Sequence, residues 1–396
     1  MQRQNVAPVP VTESADLVTR CAALASADFV ALDTEFLREK TYYPIPCLIQ
    51  VAGPDSAFII DPMAPGIDLA PFLAVLRNRD VVKVFHAGRQ DLDIFFALLD
   101  ELPAPLADTQ IMAMALGYGD AVSYENLAAR LMKVRIDKGA RFTDWSRRPL
   151  TPRQLEYALS DVTHLRQIYA LLSEQLKTRG REEWIAEEMA DLNDPARYRP
   201  DPEDAWRRLK IRSDKPRFLL MLRELAAWRE REAQQRNVPR QRIIKDEILL
   251  EIAAHPPHDQ AEFDKYRGLP NGYGNSALGK GLAEAIARGQ NAPFDSLPVL
   301  SQRVGSEKAG PAAELLRVLI KQVCENEQVA PKLLVSSQEL DMLARLGPEA
   351  DVPLLHGWRY ELCGKLAQDC LAGKLAFYMR GNKVDFAPFA ALEKQG

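Results

Sequence analysis

Residues 29–36 read Phe29-Val30-Ala31-Leu32-Asp33-Thr34-Glu35-Phe36, an apolar run of strand type with two acids in it. Successive side chains of a strand point to opposite faces. Asp33 and Glu35 therefore leave the same side of an otherwise hydrophobic element. A buried carboxylate without a partner is costly, and two side by side are costlier. A bound cation removes that cost, and an all-oxygen ligand set selects a hard ion such as Mg²⁺ or Mn²⁺. The pair alone also fits a strand whose polar end reaches solvent, so the rest of the chain has to decide.

Apolar runs at 47–51, 57–61 and 81–85 predict three more strands, and residues 69–77 and 91–99 predict helices. Three consecutive strands followed by alternation point to an α/β mixed sheet with helices on its faces. Thr151, Pro152 and Gln154 form a capping box with proline at the first helical position, so a helix starts there and runs to about 177. Asn193-Asp194-Pro195 and Arg199-Pro200-Asp201-Pro202 punctuate a linker, placed at 179–208. Beyond 203 the pattern reads as helical throughout. Phe218, Met221, Leu222, Leu225 and Trp228 form a stripe on a helix over 217–235, followed by helices at 243–254 and 277–288. A second linker rich in Pro, Ser and Gly is placed at 292–310. Helices resume at 311–325, 337–346 and 357–371. The expected division is an α/β domain at 10–178 and two all-α modules at 209–291 and 311–385.

The 396 residues are 47% hydrophobic and 27% charged, a globular composition for more than one domain. No apolar run is long enough to span a membrane, and the N-terminus lacks the apolar core of a signal peptide. Cys21, Cys47, Cys324, Cys363 and Cys370 form no C-x-x-C pair, which argues for a reducing compartment and against a zinc site. A cytoplasmic, monomeric protein is expected. The net charge of −4 conceals two basic segments. Residues 207–250 hold 13 Lys or Arg against 6 Asp or Glu, and residues 138–153 hold five against one. Both are candidate nucleic-acid contacts, and each also fits a solvated face.

Three further features complete the acids of the first strand. His86-Ala87-Gly88-Arg89-Gln90-Asp91 follows the strand at 81–85 and puts Asp91 in the first turn of the next helix. Tyr157 and Asp161 are four residues apart and share a helical face. Lys138, Arg141, Phe142 and Trp145 interleave cations and rings, a composition suited to single-stranded nucleic acid. Trp145 and Phe142 fit a core equally well. Asp33 and Glu35, from one strand, and Asp91 and Asp161 come from three separate elements, and four such carboxylates can hold two divalent cations about 3.5–4 Å apart for in-line attack on a phosphodiester. Tyr157 can then hold the attacking water.

Asp33-Thr34-Glu35, His86-Ala87-Gly88-x-x-Asp91 and Tyr157-x-x-x-Asp161 resemble the three motifs of the DEDD exonuclease superfamily in its tyrosine form. The histidine form would carry His five residues before the last acid, where this chain has Glu156. Arg38-Glu39-Lys40-Thr41-Tyr42-Tyr43-Pro44, Asp108-Thr109-Gln110 and the segment from Thr143 to Leu150 are similar to bacterial ribonuclease D. That resemblance implies a ribonuclease-H-like sheet and two HRDC modules, the first carried by residues 217–254 and the second, weaker one by residues 330–375, with the stretch from Leu354 to Leu362. It also implies a metal-dependent 3′–5′ exoribonuclease that trims transfer-RNA precursors and other structured RNA with a single-stranded 3′ end, releasing 5′-mononucleotides. Asp33, Glu35, Asp91 and Asp161 are the implied metal ligands, with Tyr157 the fifth catalytic residue. His86, Lys138, Arg141, Trp145, Arg229, Arg236, Arg240 and Arg242 are candidate RNA contacts. The alternatives are a 3′–5′ DNA exonuclease and a catalytically silent nucleic-acid-binding scaffold. No G-x-x-x-x-G-K-[ST] helicase motif accompanies the nuclease motifs.

Overall fold

The structure is a computed structural model, which describes residues 8–137, 139–211, 213–297 and 310–389. After helix α1 (Ser14–Ala22) come β1 (Phe29–Leu37), β2 (Ile45–Ala52), β3 (Ala57–Ile60), α2 (Ala70–Arg77), β4 (Val82–Phe85) and α3 (Arg89–Leu99). Strand β5 (Leu106–Asp108) and helices α4 (Thr109–Ala115), α5 (Tyr124–Met132) and α6 (Pro152–Arg179) complete the first domain. The five-stranded sheet has the order β3-β2-β1-β4-β5. Strands β1, β2 and β3 pair antiparallel, and β4 and β5 run parallel to β1. The mixed sheet expected from the sequence is present.

The alternation in β1 divides the two faces. Val30 and Leu32 face Leu17, Phe72, Phe85 and Phe95 in one core. Ala31, Asp33 and Glu35 lie on the other face, which α6 covers. The register of β1 against β2 slips between Glu35 and Phe36, so that Phe36 stands opposite Pro46. Proline has no N–H to give to a ladder, which makes this a natural place for a bulge. Helix α6 begins with the capping box read from the sequence: Thr151 accepts from the Gln154 backbone and Gln154 reaches back to Thr151.

Two expectations about the rest of the chain change. Residues 179–208 are not a loose linker. They hold helix α7 (Ala186–Leu192) and 3₁₀ turns, and they bury Tyr198 in the sheet core and Trp206 against helix α8 (Pro216–Arg236). The chain beyond 203 is not entirely helical, because β6 (Leu375–Arg380) and β7 (Lys383–Pro388) form an antiparallel hairpin. Its two-residue connection is Gly381-Asn382, a dipeptide that favours such turns. The second linker lies largely outside the described residues.

The core beside α6 does not stop at the first domain. Ala31, Ala52, Val84 and residues of α4, α5 and α6 share one cluster with Leu316, Leu319, Ile320, Leu333, Leu340, Leu354 and Cys363. The Ala330 N–H donates to the Met114 carbonyl at 2.8 Å. The C-terminal helices are thus continuous with the nuclease core, whereas the module built on α8 has its own core, entered from the first domain by Tyr42.

Candidate active site

In an open α/β sheet, ligands sit beyond the carboxyl ends of the parallel strands. Strand β4 covers only the first part of β1, pairing Phe29–Ala31 with Val82–Val84, so Asp33 and Glu35 project past it. Here a cavity of about 430 Å³ opens. Asp33, Glu35, Asp91, Tyr157 and Asp161 all line it, together with His86, Gln90, Tyr124 and Arg141. The four carboxylates and the tyrosine singled out in the sequence are therefore brought to one place by β1, α3 and α6.

The turn from β4 into α3 explains the spelling of His86-Ala87-Gly88. Ala87 adopts a positive φ of 54°. Its N–H and that of Gly88 donate to the Asp108 carboxylate at 3.0 and 2.9 Å. A side chain on Gly88 would collide with Phe85, since a Cβ there would lie 2.4 Å from that residue's own Cβ. Strain at a non-glycine residue is retained where the surroundings enforce it. The result aims Asp91 at β1, where the Thr34 hydroxyl donates to its Oδ1 at 2.5 Å. Asp108, Thr34 and Tyr124 were not among the candidate site residues. Tyr124 donates to the Asp161 backbone carbonyl and so ties α5 to α6 at the site.

The electrostatics are those of carboxyl groups held together without enough positive charge. Burial pushes the Asp33 carboxyl well above its ordinary range, and Asp91, Asp161 and Glu35 push it further. Burial followed by Asp161 and Asp91 raises Glu35 to about 9, against a smaller lowering by Arg141. Asp91 and Asp161 are each raised to about 7, chiefly by burial, although hydrogen bonds from Thr34 and Tyr157 respectively oppose the shift. Tyr157 is also raised, by burial and by the acids around it, and holds its proton across the neutral range. Among the described residues no three His, Cys, Asp or Glu groups already converge at ligand spacing. The carboxylates share a cavity rather than a closed cage. Their chemistry nonetheless fits a hard cation: oxygen donors only, desolvated, with Arg141 the cation at the rim.

The candidate RNA contacts separate. Arg141 is exposed at the cavity, with its guanidinium 5.3 Å from the ring of Phe142, which is 91% exposed. Trp145, by contrast, is 3% exposed and packs behind Tyr157, ring centroids 6.1 Å apart. It is core, because its neighbours Cys47, Leu48, Leu155 and Ala158 form an apolar pocket for it. His86 borders the cavity but commits both ring nitrogens to the protein, Nδ1 to Thr109 Oγ1 and Nε2 to the Val122 carbonyl. It braces the loop before α5 instead of offering itself to a phosphate. Arg229 is buried and paired with Asp246 at 2.5 Å. Arg240 is paired with the buried Glu230 and with Tyr42. Both hold the fold together. Arg236 pairs with Glu232 along its own helix but remains partly exposed, and Arg242 is exposed. Lys138 lies outside the described residues.

Residues 8–177 match the 3′–5′ exonuclease family and residues 219–286 match the HRDC domain. Ribonuclease D of Gluconacetobacter diazotrophicus is 48% identical over 96% of this chain and 97% of its own length. Ribonuclease D of Zymomonas mobilis is 44% identical over 94% and 96%. Among solved structures, that of Escherichia coli RNase D, an exoribonuclease involved in structured RNA processing, superposes with a TM-score of 0.78 at 31% identity, covering 93% of this chain and 99% of that one. The catalytic core of RRP6 from Trypanosoma brucei, at 21% identity and a TM-score of 0.54, shares the fold. With the acids and tyrosine of its cavity in place and relatives aligned along nearly their full length, this chain belongs to the ribonuclease D family of 3′–5′ exonucleases.

Proposed function

We propose that this 3′–5′ exoribonuclease acts in the cytoplasm as a monomer on structured RNA with a single-stranded 3′ end, transfer-RNA precursors among them, and releases 5′-mononucleotides. The observation that carries the reading is the gathering of Asp33, Glu35, Asp91, Asp161 and Tyr157 around one cavity. The family is divalent-metal dependent. Asp33, Glu35, Asp91 and Asp161 would hold two Mg²⁺ or Mn²⁺ ions, which when bound lower the pKa of the attacking water and stabilise the leaving 3′-oxygen.

The chain's own groups divide the remaining work. Tyr157 keeps its proton and, from its place beside Asp161, orients the water in line with the scissile bond. Trp145 fixes the Tyr157 ring from behind. Arg141 meets the phosphate at the rim, and Phe142 offers its free face to a terminal base. In the same scheme residues 10–178 cut, while the module at 209–291 and the C-terminal region at 311–385 hold the body of the RNA, with Arg236 and Arg242 among the contacts.

The test is a digestion of 3′-tailed RNA, labelled at its 5′ end, beside DNA of the same sequence, each with Mg²⁺, Mn²⁺ or EDTA. Stepwise shortening of the RNA with divalent metal, and none in EDTA, supports the reading. Faster loss of DNA would overturn the substrate class, and cleavage in EDTA would overturn the metal chemistry.

A further inference from the structure

Gln50 lies in β2, in the middle of the nuclease sheet, and is completely buried. Neither its amide nitrogen nor its amide oxygen has a hydrogen-bond partner among the described residues. Buried polar side chains are nearly always partnered, so such a group needs a reason. Its apolar neighbours sharpen the question. On the same face of β2 stand Leu48 and Ala52, and opposite it in β3 is Ile59, all buried. A leucine or methionine would fill this position without the penalty of a stranded amide.

The other partner of Gln50 across the sheet is Asp33. Residues directly opposite in an antiparallel pair project to the same face with Cβ atoms about 4.5–5.5 Å apart. Glu35 stands opposite Leu48, one diagonal step away. Strands β1, β2 and β3 are all covered on this face by α6, which carries Asp161. The amide is thus enclosed between the strand that carries Asp33 and Glu35 and the helix that closes the cavity.

We propose that Gln50 is a positioning residue: its amide, without a partner among the described residues, turns its N–H to the Asp33 carboxylate from the side away from the cavity when a divalent cation is bound, and holds it in the rotamer that presents its oxygens to that cation. The proposal rests on the metal-dependent reading above. It gives the buried amide a partner, and gives Asp33 the outer hydrogen bond that ligating carboxylates characteristically have. Gln50 does not touch the substrate.

The variants Gln50→Met and Gln50→Asn test it in the full chain. Methionine keeps the volume and removes the donor; asparagine keeps the amide but shortens its reach by one methylene. Mn²⁺ binding is measured by calorimetry in the absence of RNA, melting temperature in EDTA, and kcat and KM on a short single-stranded RNA. Expected for Gln50→Met is an unchanged or higher melting temperature, Mn²⁺ binding weaker by roughly tenfold or more, a comparable fall in kcat and an unchanged KM. Gln50→Asn should show the same losses in smaller degree. Wild-type Mn²⁺ affinity and kcat in both variants would make Gln50 a filler and overturn the proposal. A lower melting temperature for Gln50→Met with unaltered metal binding would do so too, by showing that the amide serves the fold. If the wild-type chain itself takes up no Mn²⁺, the metal reading fails, and this inference fails with it.

Discussion

At the scale of single residues, the cavity opposes stability to function. Asp91 and Asp161 hold their protons more tightly in the fold than in the unfolded chain, their pKa values raised from 3.8 to about 7. A group raised in this way contributes stability that is complete below its unfolded pKa and lost as pH rises through the folded one. Glu35, raised to about 9, extends the loss upward. In EDTA, therefore, the wild-type melting temperature should fall between pH 5 and pH 9 more steeply than that of Asp161→Asn. Parallel curves would show that the cluster is not strained by charge. The same substitution, or Asp33→Asn, should abolish cleavage at saturating Mg²⁺ without unfolding the chain, and a near-normal rate in either would remove these acids from the chemistry. Tyr157→Phe should lower kcat strongly and leave KM almost unchanged, because the hydroxyl acts on the attacking water rather than on bound RNA. A rise confined to KM would make it a binding residue. The two aromatic neighbours of Arg141 and Tyr157 should behave oppositely. Phe142→Ala should raise KM with an unchanged melting temperature, while Trp145→Ala should cost about 3–5 kcal/mol of stability, read from denaturant midpoints.

Elements explain why so many of the basic residues in 207–250 do not await RNA. Asp246 draws Arg229 into the interior of the α8 module, and Glu230 and Tyr42 draw Arg240 into the junction between that module and the first domain. There Glu230, buried to 1% exposure, is met by Arg240 and by the Tyr42 hydroxyl, while Asn237 accepts from the backbone of Tyr42 and Tyr43. Breaking a buried pair leaves a bare charge, at a cost of about 3–5 kcal/mol. Arg240→Ala should therefore lower the melting temperature by several degrees or more, whatever its effect on RNA. Arg242→Ala should leave melting unchanged and weaken binding of long RNA. It should also reduce the log–log salt slope by about 0.7–0.9 for each phosphate left without its cation. An unchanged affinity and slope would make Arg242 an ordinary solvated cation.

Over the whole molecule, the shared core decides what can be cut apart. The apolar cluster around α4 and α6 is completed by residues of 311–371. Trp184, just beyond α6, stacks on Trp358 with centroids 4.4 Å apart, and Arg359 bridges to Glu187 and Glu188. A chain ending near residue 178 uncovers that surface. Instead of an active soluble nuclease domain, it should yield a species that aggregates or binds a hydrophobic dye such as ANS. A monomeric, fully active fragment by gel filtration and assay would show that the shared core is dispensable.

The sheet, the capped helix α6 and the five residues of the cavity were legible because each rests on local rules. Alternation assigned Asp33 and Glu35 to one face, a capping box started α6, and a four-residue spacing paired Tyr157 with Asp161. The hairpin at 375–388 was also written locally, in Gly381-Asn382 and its flanking apolar runs, but a helical reading of the surroundings masked it. What the sequence by itself could not determine is where a polar or aromatic group goes when two burial environments suit it. Trp145 and Phe142 are three residues apart in one basic segment, and only the pocket between β2, β3 and α6 makes one core and leaves the other in solvent. Arg229 and Arg240 read as free cations until Asp246 and Glu230 are placed beside them. Gln50 reads as an ordinary strand residue until the register sets it across from Asp33. Local patterns carry the period of an element, but the partner that neutralises a charge or satisfies an amide is supplied by segments distant in sequence, and only the packed chain brings them together.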